Sequence, residues 1–201
     1  MADVGHGYRM VAVGASAGGL AALRALVAGL PPGFDLPVAV VQHRSRDSYL
    51  LCELLQECSS LPVHEVNDKE EVRDGYVYIA PPDYHMLVDD GYFSLSVDEP
   101  VRYSRPSIDV TFQSVAETYG PDAIGVVLTG ANADGAAGLR CIREAGGAAV
   151  VQDPETAEVR VMPQAALKAV PDACVLEMAR IGPYLAAIRG RRLPRCSAGD
   201  A

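Results

Sequence analysis

Residues 10–23 read MVAVGASAGGLAAL, and the fold turns on this stretch. The apolar run 10–13 predicts a short buried strand. Residues 20–30 predict a helix that Pro31-Pro32 stops. The six residues between, Gly14-Ala15-Ser16-Ala17-Gly18-Gly19, nearly fit two different loops. With glycine in place of Ser16 they would spell G-x-G-x-x-G, the cradle for a dinucleotide pyrophosphate. As they stand, residues 14–18 spell G-x-S-x-G, a serine on a tight strand-to-helix turn.

Working outward, PVAVV at 37–41 predicts a second buried strand, so strand, helix and strand fall within the span of one βαβ unit. A helix is expected over 47–58, where Leu50, Leu51, Leu54, Leu55 and Cys58 share a face, and a brief strand over 63–66. The middle changes character. Short strands at 76–80, 84–88 and 92–97, with Asp89-Asp90-Gly91 as a hairpin turn, predict a β-rich insertion. Ser107 then reads as the N-cap of a helix carrying Ile108, Phe112, Val115, Ala116 and Tyr119 on one face. The α/β alternation resumes with a strand at 123–128, a small-residue loop at 129–138, a helix at 139–145 and a strand at 148–151. Helices at 164–170 and 180–189 close the chain. The expected class is α/β: a mostly parallel, doubly wound, Rossmann-like sheet with a β-hairpin insertion.

Composition agrees with one such domain. Of 201 residues 49% are hydrophobic, and with Trp absent and Phe rare, Val, Leu, Ile and Ala must fill the core. A formal net charge of −9 argues against binding bulk nucleic acid, which needs clustered Lys and Arg. The one basic cluster, Arg189, Arg191, Arg192 and Arg195, lies in a Gly/Pro/Ser-containing end read as a loose tail. The five cysteines form no C-x-x-C and no zinc-ligand pattern, so they are expected to be reduced thiols of a cytoplasmic protein. No signal peptide opens the chain and no apolar run is long enough to cross a membrane.

The two loop motifs separate on chemistry. A Ser16 side chain obstructs the approach of a pyrophosphate to the backbone. The ribose-binding Asp or Glu expected at the end of the second strand is missing, because that strand ends in Gln42-His43. A serine nucleophile needs a base, and the base an orienting group. Of four histidines, His6 lies in a glycine-rich start, His64 within a strand and His85 in a β-rich segment. His43 follows the second strand as Ser16 follows the first, and ligands of open parallel sheets bind outside those ends. Neighbouring strand ends lie only ~5–10 Å apart. Asp134 follows the strand at 123–128 and stands on the same edge. Taken singly, His43 could simply end a strand and Asp134 could be an N-cap. Together, Ser16, His43 and Asp134 have the placement of a triad. Their order differs from the Ser…Asp/Glu…His order of α/β-hydrolases, so that fold is not assigned.

From residue 11 to about 188 the sequence resembles the catalytic domain of the bacterial chemotaxis protein-glutamate methylesterases. The segments that carry the resemblance are VGASAGG around Ser16, VVQH ending at His43, YIAPPDYHM, RPSIDVTF, GVVLTG…DGAAGL and QDPETA…MPQAAL. The resemblance implies that Ser16, His43 and Asp134 are the family's catalytic serine, histidine and aspartate. It implies that the loop at Ala131-Asn132 helps form an oxyanion site, for which the backbone N–H groups near Ala17, at a helix start, and Ala131 are the expected donors; Arg105 is a candidate contact to an acidic substrate and need not be catalytic. It also implies hydrolysis of glutamate methyl esters on the cytoplasmic helices of methylated chemoreceptors, with deamidation of receptor glutamines as a second activity. No metal, no organic cofactor, no nucleic acid and no membrane insertion are implied, and the protein is read as a monomer. On this basis residues 1–9 are expected to be a flexible start, 10–189 the methylesterase domain and 190–201 a flexible tail. Two departures stand out. Many members have Met-Gly where this chain has Ala131-Asn132, and asparagine is expected to keep that turn by tolerating left-handed backbone angles. The short stretch before the first strand leaves no room for the receiver domain that often precedes this one, so a stand-alone domain or a fragment is expected. Control would then fall to a separate regulatory protein or to expression. The alternatives are a catalytically silent module that keeps the fold, and a nucleotide-binding protein.

Overall fold

The computed structural model describes residues 7–43 and 50–189. The buried run at the start forms β1 (Met10–Ala15), and the apolar stretch after the glycines forms α1 (Gly19–Ala28). Next come β2 (Val38–Gln42), the short helix α2 (Leu51–Gln56), β3 (Val63–Glu65) and β4 (Val77–Ile79). A hairpin of β5 (His85–Val88) and β6 (Phe93–Ser96) follows, then α3 (Ile108–Tyr119) and β7 (Ala123–Val127). The chain continues through α4 (Ala136–Glu144), β8 (Ala148–Gln152), α5 (Val161–Ala169), β9 (Cys174–Leu176) and α6 (Met178–Ile188).

Seven strands make one sheet in the order β3-β4-β2-β1-β7-β8-β9, and every pairing in it is parallel. From β1 the chain winds first toward β2 and later toward β7, so the order reverses between β1 and β7. In open α/β sheets a reversal of this kind is where ligands bind, in the crevice outside the C-terminal ends of the strands. Alternate strand residues feed two separate cores. Val11, Val13, Val38 and Val40 pack with Leu23, Leu26, Leu55, Ile181 and Leu185 of α1, α2 and α6. Met10, Ala12, Ala39 and Val41 pack with Ile108, Phe112, Leu139, Ile142 and Met162 of α3, α4 and α5, and with Met86, Val88 and Phe93 of the hairpin. Both faces are covered, which is why the strands read as continuous apolar runs rather than alternating ones.

The expected class is the one observed, with differences of detail. β4 belongs to the main sheet, between β3 and β2, and only β5 and β6 form the inserted hairpin. β9 had no signal in the sequence: it is a three-residue edge strand with Val175 exposed. α4 begins at Ala136 rather than 139, and the expected helix over 47–58 is described as α2 alone, residues 47–49 lying outside the described part. The basic residues Arg191, Arg192 and Arg195 and the expected tail at 190–201 also lie outside it, as does His6. Of the expected flexible start, residues 7–9 are described. Tyr8 is buried in the core, and the Arg9 N–H donates to the Asp122 carbonyl at 2.8 Å.

Candidate active site

Strand register sets the first two residues side by side. Ala15 of β1 pairs with Gln42 of β2, so Ser16 and His43 are the next residues along neighbouring parallel strands. The His43 N–H donates to the Ala15 carbonyl at 3.1 Å and the Ser16 N–H to the Thr129 carbonyl at 2.9 Å, which ties the ends of β1, β2 and β7 together. The buried Gln42 side chain adds a cross-strut, its amide donating to the carbonyls of Ser16 at 2.9 Å and His43 at 3.1 Å. In the sequence, Gln42 signals only the missing ribose-binding acid, not this strut.

The turn after β1 is shaped by glycines. Gly18, the N-cap of α1, sits at φ 76°, in the left-handed region, and a Cβ there would also lie 2.7 Å from Cβ of Glu158. Gly14 does a different job. It lies within β1, and a Cβ on it would come 2.4 Å from Cγ2 of Ile108, so its absence lets the start of α3 approach the sheet. Thr129 holds the turn from across the crevice, its hydroxyl donating to the Ala17 carbonyl at 2.9 Å. Among the described residues the N–H groups of Ala17 and Ala131 have no backbone acceptor.

Asp134 is fully buried and lies 2.8 Å, through Oδ2, from His43 Nε2. Its remaining capacity goes to the first turn of α3. Oδ2 accepts the Ile108 N–H at 2.7 Å, and Oδ1 accepts the Asp109 N–H and the Ser107 hydroxyl, both at 2.9 Å. Asp109 returns the arrangement to α4, its Oδ1 accepting the N–H groups of Gly135 at 2.9 Å and Gly138 at 2.7 Å. Each helix start is thus satisfied by a carboxylate from the start of the other. One expectation and one alternative reading are corrected here. Ser107 does occupy the N-cap position of α3, but its hydroxyl donates to Asp134 instead of capping the helix. Asp134 caps α3, not the helix that follows it, whose N-cap is Gly135.

Burial alone would raise the Asp134 carboxyl. The His43 ring and the N–H groups of Asp109 and Ile108 outweigh it and hold Asp134 below the usual carboxylate range. Asp109 shifts the other way. Burial and the nearby negative charge of Asp134 raise it, against the N–H groups of Gly138 and Gly135.

Asn132 stands on the other side of the histidine. Its Oδ1 accepts the Asp134 N–H at 3.1 Å and its Nδ2 lies 3.4 Å from His43 Nδ1. The expected left-handed backbone is not used: the positive-φ residues other than glycine are Lys69, Asp83, Arg102 and Tyr103 among those described. Ser16 is half-buried, and among the described residues no hydrogen bond joins its hydroxyl to His43. Two other candidates have structural tasks. Arg105 donates from Nη1 to the carbonyls of Val97 at 2.8 Å and Asp98 at 3.0 Å, anchoring the segment after the hairpin. His85 is buried, accepts the Ser107 N–H at Nδ1 and faces the Glu99 carbonyl through Nε2. No group of three or more His, Cys, Asp or Glu side chains is placed to hold a metal among the described residues. No described helix is long and apolar enough to cross a membrane.

In chemical terms, the arrangement offers a hydroxyl on a tight turn, an imidazole one strand away and a buried carboxylate that orients the imidazole. Comparison with known proteins gives the relatives of this chain. A family model described as CheB methylesterase matches residues 11–185. A Leptospira interrogans protein, provisionally named a protein-glutamate methylesterase/protein-glutamine glutaminase, is 44% identical over 176 residues, covering 87% of this chain and 91% of that protein. The protein-glutamate methylesterase/protein-glutamine glutaminase 1 of Carboxydothermus hydrogenoformans is 38% identical over 189 residues, which are 90% of this chain and 56% of that one. The crystal structure of the Thermotoga maritima CheB methylesterase catalytic domain superposes with a TM-score of 0.86 at 34% identity, covering 90% of this chain and 98% of that one.

Proposed function

This chain belongs to the CheB methylesterase family, a family of hydrolases, and from that membership we propose that it cleaves glutamate methyl esters on the cytoplasmic helices of chemoreceptors through Ser16, His43 and Asp134. The observation that carries the assignment is the 2.8 Å pairing of His43 with a buried, fully hydrogen-bonded Asp134, one residue beyond the strand end that lies beside Ser16.

Serine is a weak nucleophile at neutral pH. With His43 Nε2 turned to Asp134, Nδ1 is the nitrogen left to take the Ser16 proton as Oγ attacks the ester carbonyl. Asp134 stays ionised and stabilises the imidazolium that forms. Its position below the usual carboxylate range suits that task. The oxyanion is met by the N–H groups of Ala17, beside the start of α1, and Ala131. The proton on Nδ1 passes to the leaving methoxide. Methanol departs, and water activated by the same nitrogen resolves the acyl-enzyme. A glutamine side chain enters the same sequence with ammonia leaving, and the relatives' names include that second activity. Receptor helices of this kind face the cytoplasm, which is where the proposal puts the enzyme.

The test is methanol release from methyl-esterified receptor membranes. Ser16→Ala is expected to lose about a thousandfold or more while keeping the wild-type circular dichroism. Full retention of activity would remove the serine from its role. An active-site-directed phosphonate should label wild type at Ser16, whereas a catalytically silent module would stay unlabelled.

A further inference from the structure

Asn132 has no part in the chemistry described so far, yet it touches both members of the histidine–aspartate pair. Its orientation is fixed by what each neighbour can do. The Asp134 backbone N–H can only donate, so the atom 3.1 Å from it is the amide oxygen. The amide nitrogen therefore faces His43 Nδ1 at 3.4 Å, and an NH2 group can only donate. Nδ1 must present a lone pair, and in a neutral ring the proton is then on Nε2, where it is donated to Asp134 Oδ2 at 2.8 Å. The chain Asp134 N–H to Asn132, Asn132 to His43 and His43 to Asp134 closes on itself.

We propose that Asn132 is a positioning residue that selects the His43 tautomer with Nδ1 free, and so prepares that nitrogen to receive the Ser16 proton. The inference rests on the Ser16–His43–Asp134 assignment and deepens it. Asn132 cannot hold the ring throughout the reaction. Once the Ser16 proton has moved from Oγ to Nδ1, two N–H groups would face each other, so the Asn132 contact opens as the Oγ–carbon bond forms. It closes again when Nδ1 gives the proton to the leaving methoxide. Asp109 is the second carboxylate in the cluster. It faces the N–H groups of Gly135 and Gly138 instead of the ring, so it does not substitute for Asn132.

The decisive variant is Asn132→Asp. It is nearly isosteric, keeps an oxygen for the Asp134 N–H and replaces the donor facing Nδ1 with an acceptor. Histidine labelled with 15N reports the tautomer, and His43→Gln identifies the signal among the four histidines. Wild type and Ser16→Ala should both show His43 with its proton on Nε2. Asn132→Asp sets a carboxylate at each ring nitrogen, so Nδ1 should carry a proton while Nε2 keeps its own, and kcat should fall about tenfold or more, with KM within about twofold. If Asn132→Asp does not fold, Asn132→Ala serves: Asp134 alone then biases the ring, and the fraction of rings protonated at Nδ1 should rise above that of wild type. An Nδ1 as free of its proton as in wild type, or an unchanged kcat, would overturn the role of Asn132. Activity surviving in Ser16→Ala would instead overturn the underlying assignment, and the two failures are read from different measurements.

Discussion

His43 faces Asp134 at 2.8 Å and His64 faces Glu70 at 2.5 Å, both through Nε2. Both carboxyls are pulled below their usual range against a burial effect that would raise them. In both, backbone N–H groups assist: those of Asp109 and Ile108 for Asp134, and that of Asn67 for Glu70. By contact chemistry alone the two pairs are alike. They differ in setting. The side chains of His43 and Asp134 are 13% and 0% exposed, and those of His64 and Glu70 are 36% and 23% exposed. His64 lies on β3 at the sheet edge, with its ring edge-on to Tyr76 and Tyr78. His43 lies where β1, β2 and β7 end together, beside a serine. A histidine–carboxylate pair is therefore not a site in itself. Its place in the topology and the group beside its free nitrogen are what make His43–Asp134 the candidate.

Replacing the carboxylate tests this contrast most severely. Asp134→Asn keeps the shape but can no longer fix the His43 tautomer or stabilise an imidazolium. It is expected to reduce kcat by about 10⁴-fold. Glu70→Gln, the same change in the other pair, should leave kcat within about twofold. Methanol release measured for both variants decides. Comparable losses would mean that position beside the crevice is not what separates the pairs.

Much of this contrast is legible in the sequence, because parallel strands place their ends on one edge. Ser16 and His43 follow consecutive apolar runs, and Asp134 follows a third, so their shared edge can be read without coordinates. The setting of His64 within a strand is equally plain. Illegible are the contacts that depend on how α3 reaches the sheet. Ser107, Ile108 and Asp109 lie some 25 residues or more from Asp134, and nothing in their local pattern shows that they converge on its carboxylate. The space left by Gly14 for Ile108 is of the same kind, a tertiary contact without a local signature. Gln42 and Asn132 stay hidden for another reason: periodicity says which face a residue takes, not where a loop amide points. The run at 76–80 reads as part of the insertion because a short apolar run does not show which strand it pairs with.

A smaller effect is expected in the pH dependence of stability. The Asp134 carboxyl is depressed in the fold, whereas in the unfolded chain it titrates near about 3.9. Its contribution is therefore fully present above about pH 4 and is lost as pH falls through the lower, folded value. Asp109, raised by burial and by Asp134, acts with the opposite sign, since folding favours its protonated form. The whole-protein curve mixes the two, so the useful quantity is the difference between wild type and Asp134→Asn. Urea midpoints measured at several pH values should show wild type ahead at neutral pH and the gap narrowing below about pH 4. A gap that widens with acid would contradict the depressed carboxyl.

The smallest effect is expected for Glu70→Gln on stability itself. Glu70 accepts the Asn67 N–H at 2.8 Å and faces His64, but its side chain and that of His64 are both partly in water. Solvent screening limits what such a pair contributes, and the glutamine retains an oxygen for the Asn67 N–H. The expected loss is below about 1 kcal/mol at neutral pH. What charge attraction the pair contributes should shrink as salt is raised, because a partly exposed pair is screened more than a buried one. Asp134→Asn, measured alongside, should keep its deficit in the same salt series. If Glu70→Gln proved as costly and as insensitive to salt as Asp134→Asn, exposure would not be what divides the two pairs, and the ordering of effects drawn from burial would fail.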